Sequence, residues 1–195
     1  TPLVDLRAMA EFARTTLKLP IHLDGARLWN ASAATGTSLA DFAACADTVM
    51  VSFSKGLGAP VGAALAGSTT HIEEAFVARK RFGGGMRQSG ILAAAALHGL
   101  DHHLGRLAED HANAARLAAI VADGVPDVRV VPPDTNIVMI DLPSRINAGT
   151  VEARARGQGV LVSQWNDARV RVVCHLDASR AQVEQAALVL VSALA

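Results

Sequence analysis

The spacing of apolar residues predicts that the first part of the chain alternates helices with strands. Apolar positions recur every three or four residues over 3–17, which predicts an amphipathic helix that stops before Pro20. Short apolar runs follow at 21–24 and 48–53, and a third run, bounded by glycine, lies at 61–67. Helices and strands in succession favour a mostly parallel sheet whose strands are joined by crossover helices.

The later pattern predicts a second unit of different character. A helix is expected over 70–82, and a long helix over about 88–122 follows three consecutive glycines. Beyond it, short apolar runs punctuated by proline alternate with helical patterns. The strands are predicted at 128–131, 136–142, 160–163 and 170–174, and the helices at 147–157 and 179–194. We therefore predict an α/β chain with a first domain over 1–110 and a small C-terminal α+β domain over 111–195.

Composition narrows the classes of function. Hydrophobic residues make up 51% of the 195 residues, which is enough for a sizeable core. Eighteen basic residues balance eighteen acidic ones, so we expect no general affinity for nucleic acid or for a membrane surface. The two cysteines are far apart, which favours a reducing cytoplasmic compartment over a disulfide framework.

Lys55 stands in an unusual setting for a lysine. It follows the apolar run at 48–53 and directly precedes Gly56, with Gly58 two residues further on. An amine is a nucleophile only when neutral, and burial or a nearby cation is what prepares a lysine to bond to a carbonyl compound. Position alone leaves open that Lys55 is a surface lysine in a turn.

Asp24 strengthens the case for chemistry at this place. It ends the predicted strand 21–24, and ligands of open α/β sheets bind beyond the carboxyl ends of the strands. A carboxylate there could keep the ring nitrogen of pyridoxal phosphate (PLP) protonated, although Asp24 could instead cap the next helix. His22 shares a strand face with Asp24, and we expect it to be a core histidine rather than a base.

Several longer stretches resemble one enzyme family. The stretches are "HLDGARLWNA" (22–31), "SFSKGLGAPVGAALAG" (52–67), "GGGMRQSGILAAAAL" (83–97), "DTNIVMIDL" (134–142) and "RVRVVCHLD" (169–177). Together they are similar to the low-specificity L-threonine aldolases, which are PLP-dependent enzymes of fold type I. The resemblance implies that the first domain is the later part of a fold-type I PLP-binding large domain. It also implies cleavage of L-threonine, L-allo-threonine or a related β-hydroxy-α-amino acid to glycine and an aldehyde.

The resemblance assigns the cofactor's contacts residue by residue. Lys55 would form the Schiff base with PLP, Asp24 would pair with the pyridine nitrogen, and Arg27 would lie beside the ring's phenolic edge. Arg87 would reach the phosphate of a neighbouring subunit, consistent with a homodimer or homotetramer. Ser52, three residues before the lysine, is a further candidate for contact with the phosphate.

Two basic residues are assigned to the substrate. Arg171 would bind its carboxylate, since a planar guanidinium does so through two hydrogen bonds. Lys80 would lie near the active site. As alternatives, Arg171 could be a strand-edge arginine and Lys80 one charge of a solvated run. His98 and His102 are one helical turn apart but lack a third ligand, so we expect no metal site.

The sequence also allows functions other than that of a complete aldolase. Members of the family are much longer, and the resemblance implies that the missing part, before Thr1, supplies the phosphate cup and a histidine stacked on the ring. The chain could therefore be an inactive fragment or one subunit of a split enzyme. Another PLP-dependent lyase, such as one catalysing β-elimination, is also open. Ser52 and Lys55 match the Ser-x-x-Lys motif of β-lactamases, but that serine begins a helix whereas Ser52 ends a predicted strand.

Overall fold

A computed structural model describes all residues from Thr1 to Ala195 and divides them into two compact units, Thr1–Gly105 and Arg106–Ala195. The helices of the first unit are α1 (Leu3–Phe12), which continues as a π-helical turn (Ala13–Leu17), α2 (Leu28–Thr35), α3 (Leu39–Ala43), α4 (Thr69–Arg81) and α5 (Gly90–His102). Its strands are β1 (His22–Gly25), β2 (Thr48–Ser52) and β3 (Ala63–Gly67).

The first unit is built on a three-stranded sheet in the order β1-β2-β3. Strands β1 and β2 are parallel, with Asp24 opposite Met50, and the chain crosses between them through α2 and α3. Strand β3 runs antiparallel to β2. Alternation along β2 puts Val49 into a small core with Leu28 and Phe42, because successive strand side chains point to opposite faces. The opposite face of β1 and β2 carries polar side chains, those of His22, Asp24, Thr48 and Ser52.

Packing in the first unit is uneven. All five residues of β3 are exposed, and no residue of α4 is buried. Large apolar side chains remain in solvent, among them Phe82, which is 90% exposed, and Ile91, which is 80% exposed. Single exposed apolar residues are ordinary, but a whole exposed strand beside an exposed helix leaves a large apolar surface without a covering layer.

The second unit has a four-stranded antiparallel sheet in the order β4-β5-β7-β6. After a 3₁₀ turn (Leu104–Arg106), its elements are α6 (Leu107–Gly124), β4 (Arg129–Val131), β5 (Ile137–Asp141), α7 (Ala148–Gly157), β6 (Ser163–Asn166), β7 (Arg169–Val173) and α8 (Arg180–Leu194). One continuous cluster of 22 buried residues joins the central strands to the three helices. Val138, Ile140 and Val170 are fully buried within it.

The α/β fold class predicted from the sequence is confirmed, and two predicted elements are wrong. The single helix expected over 88–122 is broken between α5 and α6, where Gly105 disfavours an α-helix and the chain forms the 3₁₀ turn Leu104–Arg106. The strand expected over 160–163 begins only at Ser163, because Val160 and Val162 pack on the core without pairing to a strand and the polar residues after them form the edge strand. No helix is long and apolar enough to span a membrane.

Candidate active site

Asp24 and Lys55 come from the carboxyl ends of two neighbouring parallel strands. Asp24 is the third residue of β1 and lies opposite Met50 of β2. Lys55 follows five residues after Met50, in the loop that leaves β2. Adjacent strands are only about 4.8 Å apart, so the two chain segments emerge side by side at one edge of the sheet. This is the arrangement that the sequence predicts for these two residues.

The Asp24 carboxylate is exposed and held in a fixed turn. Its Oδ1 accepts a hydrogen bond of 3.0 Å from the backbone N–H of Ala26, which orients the side chain beyond the strand end. His22, two residues earlier on the same face, is also exposed, and its Nδ1 lies 2.9 Å from Oγ1 of Thr48. The expectation of a core histidine is therefore wrong, because the face of β1 that carries His22 and Asp24 is not covered in this unit.

Lys55 lies in a loop closed by backbone hydrogen bonds. The N–H of Gly58 donates to the Lys55 carbonyl at 2.9 Å, and the N–H of Ala59 donates to the Phe53 carbonyl at 3.0 Å. Gly58 adopts φ +71°, a left-handed conformation that glycine takes without strain. The Lys55 residue is half-buried, and Gly56 beside it is buried without a side chain. The loop thus fixes the backbone of the lysine, and the two glycines place no side chain beside it.

Ser52 and Arg27 lie close to these strand ends along the chain. Ser52 is 5% exposed, and its Oγ lies 3.2 Å from Oγ of Ser54. Its carbonyl accepts a hydrogen bond of 3.0 Å from Nε1 of Trp29, which ties α2 to the end of β2. Arg27 is half-buried at the start of α2, three residues after Asp24. Trp29 was not singled out from the sequence, since a bond to a backbone carbonyl 23 residues away leaves no local pattern.

Lys80 and Arg87 line one cavity of about 390 Å³ in the first unit, together with Arg79 and Gly85. The Lys80 stem lies along Gly85, where a Cβ would come within 2.8 Å of its Cδ. Nε of Arg79 donates to the Gly84 carbonyl at 2.7 Å, which holds the glycine segment against α4. The structure therefore brings the two predicted basic residues together in a cavity that carries positive charge.

Arg171 lies on β7 of the second unit, opposite Met139 of β5. It is half-buried, and its guanidinium carbon lies 5.7 Å from the centre of the Trp165 ring, in cation–π contact. It forms none of the ion pairs of the chain. A cation held by an aromatic ring and lacking an internal carboxylate partner is suited to bind a carboxylate from outside.

Ionisable groups with shifted pKa values include two buried members of the second unit. Burial raises the pKa of the Asp110 carboxyl, and the nearby His175 opposes that shift. Burial raises the pKa of the Cys174 thiol to about 11, and the Asp110 carboxylate adds to the effect. No group of three or more histidine, cysteine or acidic side chains is arranged to hold a metal ion, and the tilted rings of His98 and His102 lie with their centres 4.4 Å apart.

Solved structures define the class of this fold. The chain aligns over its whole length with a putative L-allo-threonine aldolase from Listeria monocytogenes, at a TM-score of 0.79 and 25% identity, covering 56% of that chain. It also aligns over its whole length with LysN, an α-aminoadipate aminotransferase from Thermus thermophilus, at a TM-score of 0.75 and 20% identity. These neighbours are PLP enzymes of fold type I, and the present chain has part of their fold.

Sequence comparison gives the family. The model of the beta-eliminating lyase family matches residues 1–144, and the chain belongs to that family. It is 40% identical over 182 residues to the low specificity L-threonine aldolase of Escherichia coli K12, and 41% identical over 162 residues to low-specificity L-threonine aldolase 1 of Arabidopsis thaliana. The alignments cover 53% and 44% of those proteins, so the chain spans about half the length of the curated relatives it matches.

Proposed function

We propose that this chain carries the lysine and the aspartate of a PLP-dependent enzyme that cleaves L-threonine, L-allo-threonine or a related β-hydroxy-α-amino acid to glycine and an aldehyde. The observation that carries the proposal is the emergence of Asp24 and Lys55 from the ends of adjacent parallel strands. The likeness to threonine aldolases at about 40% identity supports the reaction and the substrate class.

The residues at the strand ends fit PLP. The Asp24 carboxylate is exposed and oriented by Ala26, so it can accept a hydrogen bond from a protonated ring nitrogen. Gly56 and Gly58 put no side chains beside Lys55, which leaves room for a flat ring. When bound, PLP provides an electron sink for the pair released as a bond at the substrate Cα breaks.

The other roles in the proposed reaction belong to side chains of this chain. Lys55 would hold the cofactor through its carbonyl carbon, because an amine is the side chain that bonds to carbonyl compounds. Asp24 keeps the proton on the ring nitrogen, because a carboxylate stabilises a nearby cation. Arg171 binds and orients the substrate carboxylate, and Lys80 and Arg87 supply positive charge near the anionic groups. Arg27 and Ser52 are further contacts for the ring edge and the phosphate.

Lysine mapping tests the covalent role. The chain has only three lysines, Lys18, Lys55 and Lys80, so each can be followed separately. The protein is mixed with PLP, reduced with borohydride and digested, and the phosphopyridoxyl group is located by mass spectrometry. We expect Lys55 to be labelled far ahead of the other two, and Lys55→Ala to lose that label and all turnover. Equal labelling of the three lysines would contradict the assignment of Lys55 as the lysine that bonds to PLP.

A product assay tests the reaction. L-threonine is expected to give glycine and acetaldehyde, whereas the β-elimination that the family model's name suggests would give ammonia and a 2-oxo acid. Asp24→Asn is expected to lower turnover about a hundredfold, the size of losing one preorganised electrostatic contact. Unchanged turnover in that variant would contradict the role of Asp24.

The half-length alignment supports a second candidate, in which the chain is one part of a split enzyme or an inactive fragment. The assay is therefore run on the chain alone and on the chain mixed with the complementary half of a threonine aldolase. Turnover only in the mixture would establish the split form, and turnover by neither sample would favour an inactive fragment.

We also propose a homodimer or homotetramer, supported by the exposed Phe82 and Ile91 and testable by light scattering. A reducing cytoplasmic compartment is supported by two buried free thiols.

A further inference from the structure

The loop that carries Lys55 packs against helix α5 at Leu57, whose carbonyl is buried. Leu57 is 1% exposed, and its carbonyl lies two residues beyond the lysine. A buried carbonyl needs a hydrogen-bond donor, since leaving it unpaired costs the folded state. The donor is Nδ1 of His103, which lies 2.8 Å from the Leu57 oxygen.

Helix α5 approaches this carbonyl closely because Gly99 has no side chain. A Cβ on Gly99 would lie 2.5 Å from the Leu57 oxygen and 3.2 Å from the Leu57 Cβ. Real Cβ atoms are not found so close to a backbone oxygen, so any larger residue would push the loop away. Gly99 and His103 are four residues apart and share one face of the helix. One face therefore supplies both the space and the donor.

The hydrogen bond from His103 to the Leu57 carbonyl can form whether or not the imidazole is charged. A carbonyl oxygen only accepts, so Nδ1 must carry a proton, which it does both in one neutral tautomer and in the cation. The His98 ring packs edge-on against the His103 ring at 5.2 Å between centres, which restricts the orientation of His103. The Gly58 N–H bonds back to the Lys55 carbonyl, so a fixed Leu57 fixes the turn that begins at the lysine.

We propose that Gly99 and His103 clamp the Leu57 carbonyl and that His103 is a positioning residue for the Lys55 amine. The proposal rests on the proposed function only in taking Lys55 as the reactive amine. His103 touches neither substrate nor cofactor in this role. It acts by holding the loop in the shape that directs the lysine.

The clamp is tested on the full chain without PLP, so that its failure is distinct from failure of the proposed function. Amide hydrogen exchange is measured at Gly58 and Ala59 in His103→Ala and in His102→Ala, whose ring is exposed and makes no bond to the loop. We expect protection at both amides to fall at least about tenfold in His103→Ala and to stay unchanged in His102→Ala. His103→Asn, which keeps a donor near the Nδ1 position, is expected to restore protection.

A matched pair of glycine variants tests the close approach of α5 to the Leu57 carbonyl. Gly99→Ala is expected to lower protection of the loop amides, whereas Gly90→Ala, at the start of the same helix with nothing within 4 Å of its Cβ, is not. Amides of strand β5 in the second unit serve as the reference for general loosening. Equal loss at β5 and at the loop in the clamp variants would overturn the proposal, as would unchanged protection at Gly58.

The positioning role has its own readout. Each protein is acetylated with a limiting amount of an activated ester, and the ratio of modified Lys55 to modified Lys18 is measured by mass spectrometry. Because Lys55 is half-buried, we expect the ratio to rise in His103→Ala and in Gly99→Ala and to return in His103→Asn. A ratio that stays at the wild-type value while the loop amides lose protection would overturn the positioning role.

Discussion

The two units of the chain differ in how much of their apolar surface they bury themselves. The second unit has a continuous core of 22 buried residues, whereas the main cluster of the first unit has three, Leu28, Phe42 and Val49. The proposed catalytic pair, Asp24 and Lys55, belongs to the first unit. The difference teaches that the proposed chemistry falls on the unit with the smaller core, while the unit with the larger core carries Arg171 on its sheet.

The largest expected effect comes from separating the units. Residues 106–195 alone are expected to unfold in one cooperative transition in urea, because their core is complete. Residues 1–105 alone are expected to show no such transition and to bind a dye specific for exposed apolar surface. Circular dichroism follows the unfolding transition, and dye fluorescence measures the exposed apolar surface. A cooperative transition in residues 1–105 would contradict the conclusion that the first unit buries too little apolar surface by itself.

The next effect is a cavity in the large core. Leu190 is fully buried, so Leu190→Ala should lower the free energy of unfolding of the second unit by about 2–5 kcal/mol. Leu188 lies on the same helix but is 56% exposed, and Leu188→Ala should change that energy by less than about 0.5 kcal/mol. Urea titration of the two variants gives both values. Similar losses would mean that the exposed side of α8 is also a packing surface.

A smaller effect depends on pH and is confined to the second unit. The pKa of Cys174 is raised from its ordinary 9.0 to about 11, so the folded state holds the thiol proton more tightly than the unfolded state. This contribution to stability is complete below pH 9 and is lost as pH rises through 11, in total roughly 3 kcal/mol. Comparing wild type with Cys174→Ala by urea titration at pH 8 and pH 11 isolates it. Cys45→Ala, in the first unit, should leave the loss unchanged.

The smallest effect concerns the exposed surface of the first unit. Phe82 is 90% exposed, so Phe82→Ser should change the free energy of unfolding by less than about 0.5 kcal/mol. It should lower the binding of the apolar-surface dye by the full chain. Leu161→Ser, at a residue that is 73% exposed in the second unit, is the matched control. A large loss of stability from Phe82→Ser would show that this side chain is already packed in solution.

Sequence patterns predicted the elements that are set by local periodicity. Strand β2 follows from a dense apolar run, and the emergence of Asp24 and the segment of Lys55 at one edge of the sheet follows from the rule on parallel strand ends. The bond that joins His103 to Leu57 could not be predicted, because the two residues are 46 positions apart and leave no local pattern. The exposure of His22 also could not be predicted, since alternation gives the face of a residue but not what covers that face.

Strand β3 has a consequence for handling the protein. It lies at the edge of its sheet, is exposed along its whole length, and consists of "AALAG", with no charge and no proline to block pairing. Such an edge is a template for hydrogen bonding with the same edge of another molecule, which leads to aggregation. Bacterial expression of this chain should therefore yield inclusion bodies, and Leu65→Lys should shift the protein toward the soluble fraction.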